Sequence, residues 1–156
     1  MPLLLIRHAD AGHPHDWDGP DSERPLTPHG VRQAAGLVML LAAIKVERLL
    51  SSPYIRCRQT LAELAGVHEL PVEPVDELRE GRSTAAEHLV RSLLGTTSVL
   101  CSHGDVIPEV LWILHDRDGF SVAPLPMLPC SKASAWRLDD DGERFTSATY
   151  LPPPAL

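Results

Sequence analysis

The sequence predicts an α/β fold: a three-layer α/β/α arrangement around an open, mostly parallel sheet. Three observations predict it. Short unbroken apolar runs, such as Leu3 to Ile6 and the centre of "TSVLCSHG", have the length of strands buried on both faces. Segments with helical apolar spacing alternate with those runs, which is the pattern of helices packed on both sides of a sheet. The runs also end abruptly in polar residues: Arg7-His8, Ser51-Ser52 and Ser102-His103. In open sheets of this kind, ligands sit outside the carboxyl ends of the strands.

The first strand, Leu3 to Ile6, is followed by "AGHPHDWDGPDSERPL", whose Pro, Gly and Asp content reads as a loop. Thr27 is a good N-cap and Pro28 suits the first helical position. The helix "PHGVRQAAGLVMLLAAI" then places Val31, Ala34, Ala35, Val38, Leu41 and Ala42 at helical spacing. "ERLLSS" reads as a second strand. Pro53 opens the helix "PYIRCRQTLAELAG", with Gly66 as its stop. "LPVEPVDELREG" is a connection with at most a short strand. Ser83 or Thr84 caps a helix running to about Leu94 before Gly95. "TSVLCSHG" is the third buried strand, and "DVIPEVLWILHD" is a helix with Pro108 near its first turn. "FSVAPLPMLPCS" is a proline-rich loop. "KASAWRLD" and "RFTSATYL" alternate as strands do, around the acidic turn "DDDGE", and "PPPAL" is an extended tail.

At 156 residues the chain suits one domain, residues 1–156, with a sizeable core, and its 44% apolar content is that of a globular protein. Lys and Arg number 14 against 21 Asp and Glu, a formal charge of −7. That balance argues against nucleic-acid binding, which needs basic surface to displace counterions. Cys57, Cys101 and Cys130 are scattered, odd in number and lack metal-ligand spacing, so they predict neither a disulfide framework nor a metal site. No apolar stretch is long enough to span a bilayer, and no signal peptide is evident. The expectation is a soluble cytoplasmic protein with no membrane partner.

The strand ends bring together Arg7 and His8, then Arg56 one turn into the helix after Ser52-Pro53, then His103-Gly104. Two histidines and two arginines in one crevice repel a cation. They suit an anion with several oxygens, because the guanidinium fork matches phosphate and stays charged at any working pH. The helix after His103 adds backbone N–H donors. A neutral imidazole among arginines can attack phosphorus and carry the phosphoryl group covalently. A leaving oxygen then needs a proton, so a nearby carboxylic acid is expected.

"LLLIRHADAG", "SSPYIRCRQT", "ELREG" and "LCSHGD" resemble the signature segments of the histidine phosphatase superfamily, the phosphoglycerate mutase-like proteins. "RHADAG…ERPLTPHGVRQA" is closer to the small phosphohistidine-phosphatase branch. The "VIPEVLW" helix and the "S-x-W" strand are similar to the phosphatase domain fused to Nudix hydrolases in some bacteria.

The resemblance implies a metal-independent, cofactor-free phosphatase. His8 is then the phosphorylated nucleophile, with Arg7, Arg56 and His103 completing the phosphate pocket. Gly104 adjoins that pocket. Glu80, in Leu78-Arg79-Glu80, matches the proton donor, with Glu77 in reserve. Arg24 is a rim residue expected to contact substrate, and Lys132 is a second residue within reach. The substrate is a phosphorylated small molecule, a nucleotide or a phosphohistidine protein. A phosphoglycerate mutase ranks lower, because the chain is short for the insertions common in mutases. A non-catalytic module that binds phosphate ligands or phosphoproteins is the alternative.

Other features carry less. His13, His15, Asp16 and Asp18 resemble a metal cluster in composition but sit in a loop without ligand spacing, and read better as a pocket rim. Trp17 is placed to stack on a base or sugar, Trp112 and Trp136 read as core, and Arg58 reads as surface.

Overall fold

The computed structural model describes residues 1–122 and 127–156, so part of the proline-rich loop expected over 120–131 lies outside the described residues. In chain order the elements are β1 (Leu3–Arg7), α1 (Pro28–Leu41), β2 (Arg48–Ser51), α2 (Ile55–His68), β3 (Val72–Pro74), α3 (Ser83–Ser92), β4 (Ser98–Ser102), α4 (Val106–Asp118), β5 (Ala135–Asp140) and β6 (Phe145–Leu151). The strands form one sheet in the order β3-β2-β4-β1-β5-β6. The pairs from β3 to β1 are parallel; β5 joins β1 antiparallel and β6 closes the hairpin at the edge.

β1 therefore lies inside the sheet. Leu4 pairs with Val99 of β4 on one side and with Arg137 of β5 on the other. Alternate side chains enter opposite layers, as a strand's period of two requires. Leu3 and Leu5 face a core built with Val90 of α3 and with Val110, Leu111 and Leu114 of α4. Leu4 and Ile6 face a second core built with Leu37 and Leu41 of α1 and with Leu61 and Leu64 of α2. Two helices cover each face. Leu3, Leu4, Leu5 and Ile6 are all buried, which explains the unbroken apolar run.

Local chemistry accounts for most helix ends. Thr27 accepts the Gly30 N–H in its side chain, with Pro28 at the first position, as the sequence predicts. Gly30 is required there: a Cβ on it would lie 2.0 Å from the Asp10 carbonyl oxygen, so α1 crosses the loop after β1 in backbone contact. Gln33 Oε1 accepts the Asp10 N–H at 2.8 Å and reinforces that crossing. Together these contacts bring the chain after His8 under the start of α1.

Several expected boundaries shift. α1 ends at Leu41, short of Ile44. α2 begins at Ile55, not Pro53; the chain first turns at Ser52-Pro53-Tyr54, where Ser52 Oγ accepts the Tyr54 N–H. It also runs past Gly66 to His68, and Glu69 takes the left-handed conformation at φ 53° that ends it. Gly66 was expected to supply that turn but lies inside the helix. Neither Ser83 nor Thr84 caps α3, since both lie inside it and Arg82 holds the cap position. Among the described residues no helix is long and apolar enough to cross a membrane.

Candidate active site

Arg7 and His8 stand where β1 ends. The Arg7 and His8 backbones are pinned from both neighbouring segments: Arg7 N–H donates to the Ser134 carbonyl and His8 N–H to the Ser102 carbonyl. Arg7 donates through Nη1 to the Cys130 carbonyl at 2.7 Å. Its guanidinium lies flat against Gly104, where a Cβ would sit 2.8 Å from Cζ and Nε. The close approach explains a glycine after His103.

His8 is buried, and its Nδ1 lies 2.8 Å from the Ala9 carbonyl oxygen. A carbonyl only accepts, so Nδ1 carries the hydrogen and the neutral ring keeps its lone pair on Nε2. The Ala9 N–H donates to Thr60 Oγ1, which itself donates to the Arg56 carbonyl at 2.7 Å. That chain ties the end of β1 to the first turn of α2.

Arg56 is 1% exposed. Its Nη1 donates to the Asp21 carbonyl at 2.8 Å, and Nη2 donates to Asp21 Oδ2 at 3.0 Å and to Glu80 Oε1 at 2.8 Å. The Tyr54 ring lies beneath the guanidinium, 4.8 Å from its carbon. His103, also buried, closes the floor. Its Nε2 is 2.9 Å from Ser52 Oγ, and its Nδ1 is 3.5 Å from Glu80 Oε1.

These side chains line one cavity of about 500 Å³, together with Arg24, Gly104, Lys132, His13 and Asp105. Three of its buried nitrogens lack any partner among the described residues: Arg7 Nε, Arg56 Nε and His103 Nδ1. Buried donors are almost always satisfied, and three orphans around one cavity ask for a ligand with several acceptor oxygens. Burial, with help from the arginine charges, pushes both histidines down to about 3. His8 also feels Lys132, and His103 feels His8. The site thus holds two neutral imidazoles beside fixed cations.

The sequence-predicted residues converge. Arg7, His8, Arg56, Glu80, His103 and Gly104 all line the cavity, whereas Glu77 is exposed and outside it. Arg24 is a wall and a strut: Nε donates to Asp21 Oδ1 at 3.0 Å, and Nη1 to the Ala11 and Gly12 carbonyls at 2.7 and 3.1 Å. Lys132 reaches the cavity but shares its charge with Asp10, at 3.1 Å. Trp17 folds over Gly19 and donates to the Pro20 carbonyl, away from the cavity lining. Trp136 is core as expected, but Trp112 is only partly buried and meets the His115 ring edge to face. Among the described residues no group of three or more His, Cys, Asp or Glu is arranged to hold a metal ion.

Three contributors escaped sequence reading. Asp21 anchors both Arg24 and Arg56, and its only signal was its place three residues before Arg24. Thr60 had a signal in "RCRQT", but its link to Ala9 requires the fold. Ser52 was noticed only as a strand end.

Residues 3–87 match the histidine phosphatase superfamily (branch 1). The chain belongs to this superfamily. Among related proteins, the chain is 31% identical over 97% of its length to an 8-oxo-(d)GTP phosphatase of Mycolicibacterium smegmatis, of which it spans 48%. It is 30% identical over 91% of its length to the phosphohistidine phosphatase SixA of Escherichia coli, spanning 88% of that protein. A solved structure of the protein histidine phosphatase SixA complexed with tungstate superposes with a TM-score of 0.68 at 26% identity, covering 99% of this chain and 97% of that one. The superfamily's phosphoglycerate mutase-like α/β fold is thus shared along the chain.

Proposed function

We propose that this histidine phosphatase hydrolyses a terminal phosphate through a covalent phosphohistidine on His8, without a metal. The observation that carries the reading is the His8 tautomer: Nδ1 is committed to the Ala9 carbonyl, so the lone pair for attack is on Nε2. The orphaned donors of Arg7, Arg56 and His103 surround the same cavity and suit the equatorial oxygens of a phosphoryl group in transfer.

The chemistry balances in two steps. Nε2 donates its electron pair to phosphorus, the bond from phosphorus to the leaving atom breaks, and the Glu80 carboxyl protonates that atom. Water then attacks the phosphorus, the phosphorus–nitrogen bond breaks, and the Glu80 carboxylate takes the water's proton. Glu80 is suitably near, touching both Arg56 and His103. A phosphate seated on Arg56 replaces Glu80 as that arginine's partner and frees the carboxyl to face the leaving atom.

The substrate class follows from the pocket's cations and from the named relatives, which act on a nucleotide and on phosphohistidine. A phosphorylated small molecule, a nucleotide and a phosphohistidine protein all present the group that this pocket fits.

The test is phosphate release by wild type and His8→Ala, with chelator present. The panel holds an aryl phosphate, a phosphohistidine protein, nucleoside di- and triphosphates and phosphoglycerates. Activity resistant to chelator and lost in His8→Ala is the expected result. Oxyanion binding by folded wild type with no turnover on any member would instead support a phosphate-sensing module.

A further inference from the structure

We infer that Ser52 fixes the tautomer of His103, so that the ring presents an N–H, and not a lone pair, to the phosphate oxygens. The inference rests on the proposed phosphate pocket and concerns a residue outside its direct contacts.

The argument follows the hydrogens. Ser52 Oγ has two neighbours: it accepts the Tyr54 N–H at 3.3 Å and lies 2.9 Å from His103 Nε2. Ser52 is fully buried, and among the described residues its hydroxyl hydrogen has no acceptor other than that nitrogen. A buried hydroxyl hydrogen left unbonded loses its hydration with nothing in return, so the hydroxyl donates and Nε2 accepts. Cys57 Sγ lies 3.6 Å from Nε2 and 3.7 Å from the Ser102 carbonyl, which can only accept and so suits the thiol hydrogen; sulfur itself is the weaker partner for the ring.

A neutral imidazole that accepts at Nε2 carries its hydrogen on Nδ1. That atom is one of the three buried cavity nitrogens without a hydrogen-bond partner among the described residues, and it lies 3.5 Å from Glu80 Oε1. The opposite tautomer would point a lone pair at an incoming phosphate oxygen and repel it. Ser52 is therefore a positioning residue. It does for His103 what the Ala9 carbonyl does for His8, with the opposite sense: the carbonyl leaves His8 a lone pair, and the hydroxyl leaves His103 a donor. Two histidines in one cavity thus take different roles because one meets an obligate acceptor and the other a hydroxyl whose only outlet is the ring.

The tautomer can be read directly. Long-range ¹H–¹⁵N correlation spectra of labelled, ligand-free wild type near neutral pH should show His103 unprotonated at Nε2 and protonated at Nδ1. Ser52→Ala should shift His103 toward the Nε2–H form and lower kcat/KM by about tenfold to a hundredfold. Removing an oxyanion donor outright costs roughly 10²- to 10³-fold. Ser52→Thr, which keeps the hydroxyl, should keep the wild-type pattern; Ser52→Cys serves as the smaller replacement if the extra methyl prevents folding. A wild-type spectrum with Nε2 protonated overturns the inference. So does an unchanged tautomer in folded Ser52→Ala. Because the spectrum needs no substrate, an inactive wild type with Nδ1 protonated would count against the proposed turnover and leave the role of Ser52 standing.

Discussion

His8 and His103 stand edge to face across the cavity floor, with ring centroids 5.5 Å apart and planes inclined at 64°. Burial, with the neighbouring arginine charges, holds both well below the ordinary histidine value, at about 3, and His8 adds to the lowering at His103. The pH dependence of stability has a definite sign. Between the ordinary histidine value of 6.5 and about 3, the unfolded chain binds protons that the folded chain refuses. Stability should therefore fall as pH drops through that window, with a limiting slope of about 1.4 kcal/mol per pH unit for each ring. Urea unfolding at pH 7 and pH 5 measures it, and His8→Asn should weaken the dependence. Equal pH dependence in wild type and variant would contradict the burial argument.

Gly104→Ala tests the contact beneath Arg7. The added carbon meets the guanidinium at 2.8 Å, so the arginine must shift. A misplacement on this scale costs on the order of 10²-fold in activity. The expected phenotype is a folded protein, by circular dichroism, with weakened inhibition by vanadate and a reduced kcat/KM. Unaltered vanadate affinity would remove Arg7 from the oxyanion contacts.

Glu80→Gln separates proton donation from placement of Arg56. An alkyl phosphate, whose leaving oxygen needs a proton, should lose roughly 10²- to 10⁴-fold in kcat. An aryl phosphate with a good leaving group should lose far less. Similar losses on both would confine Glu80 to holding Arg56.

Gly30→Ala probes the crossing of α1 over the first loop. A Cβ 2.0 Å from the Asp10 carbonyl oxygen has backbone as its obstacle, which cannot rotate away. We expect a loss of about 1–3 kcal/mol or more, in line with other overpacked sites. Thermal unfolding would register it as a lower Tm. An unchanged Tm would mean that α1 and the loop part at little cost.

Much of this was written locally and could be read. The unbroken runs of β1 and β4 follow from burial on both faces, and Thr27-Pro28 marks its helix start unaided. The four cavity residues Arg7, His8, Arg56 and His103 were legible because each ends a strand or opens the following helix. What could not be read depends on distant chain. Asp21 reaches Arg56 only because the first loop folds back over α2, and Ser52 matters only once His103 packs beside it. The end of α2 was missed because Gly66 is a stronger stop signal than Glu69, and the left-handed residue that ends the helix is Glu69.

The closure of β1 by β5 has a consequence for biosynthesis. The second residue of the Arg7–Cys130 contact leaves the ribosome 123 positions after the first, and Lys132 and the β5 partner strand follow it. Until that hairpin emerges and docks, β1 is an edge strand and Arg7 lacks the carbonyl that aims it. A nascent chain that has completed α4 therefore holds His8, Arg56 and His103 without a working phosphate cradle. Deleting β5 and β6 should therefore abolish vanadate binding at Arg7 while the parallel half of the sheet keeps its pairing.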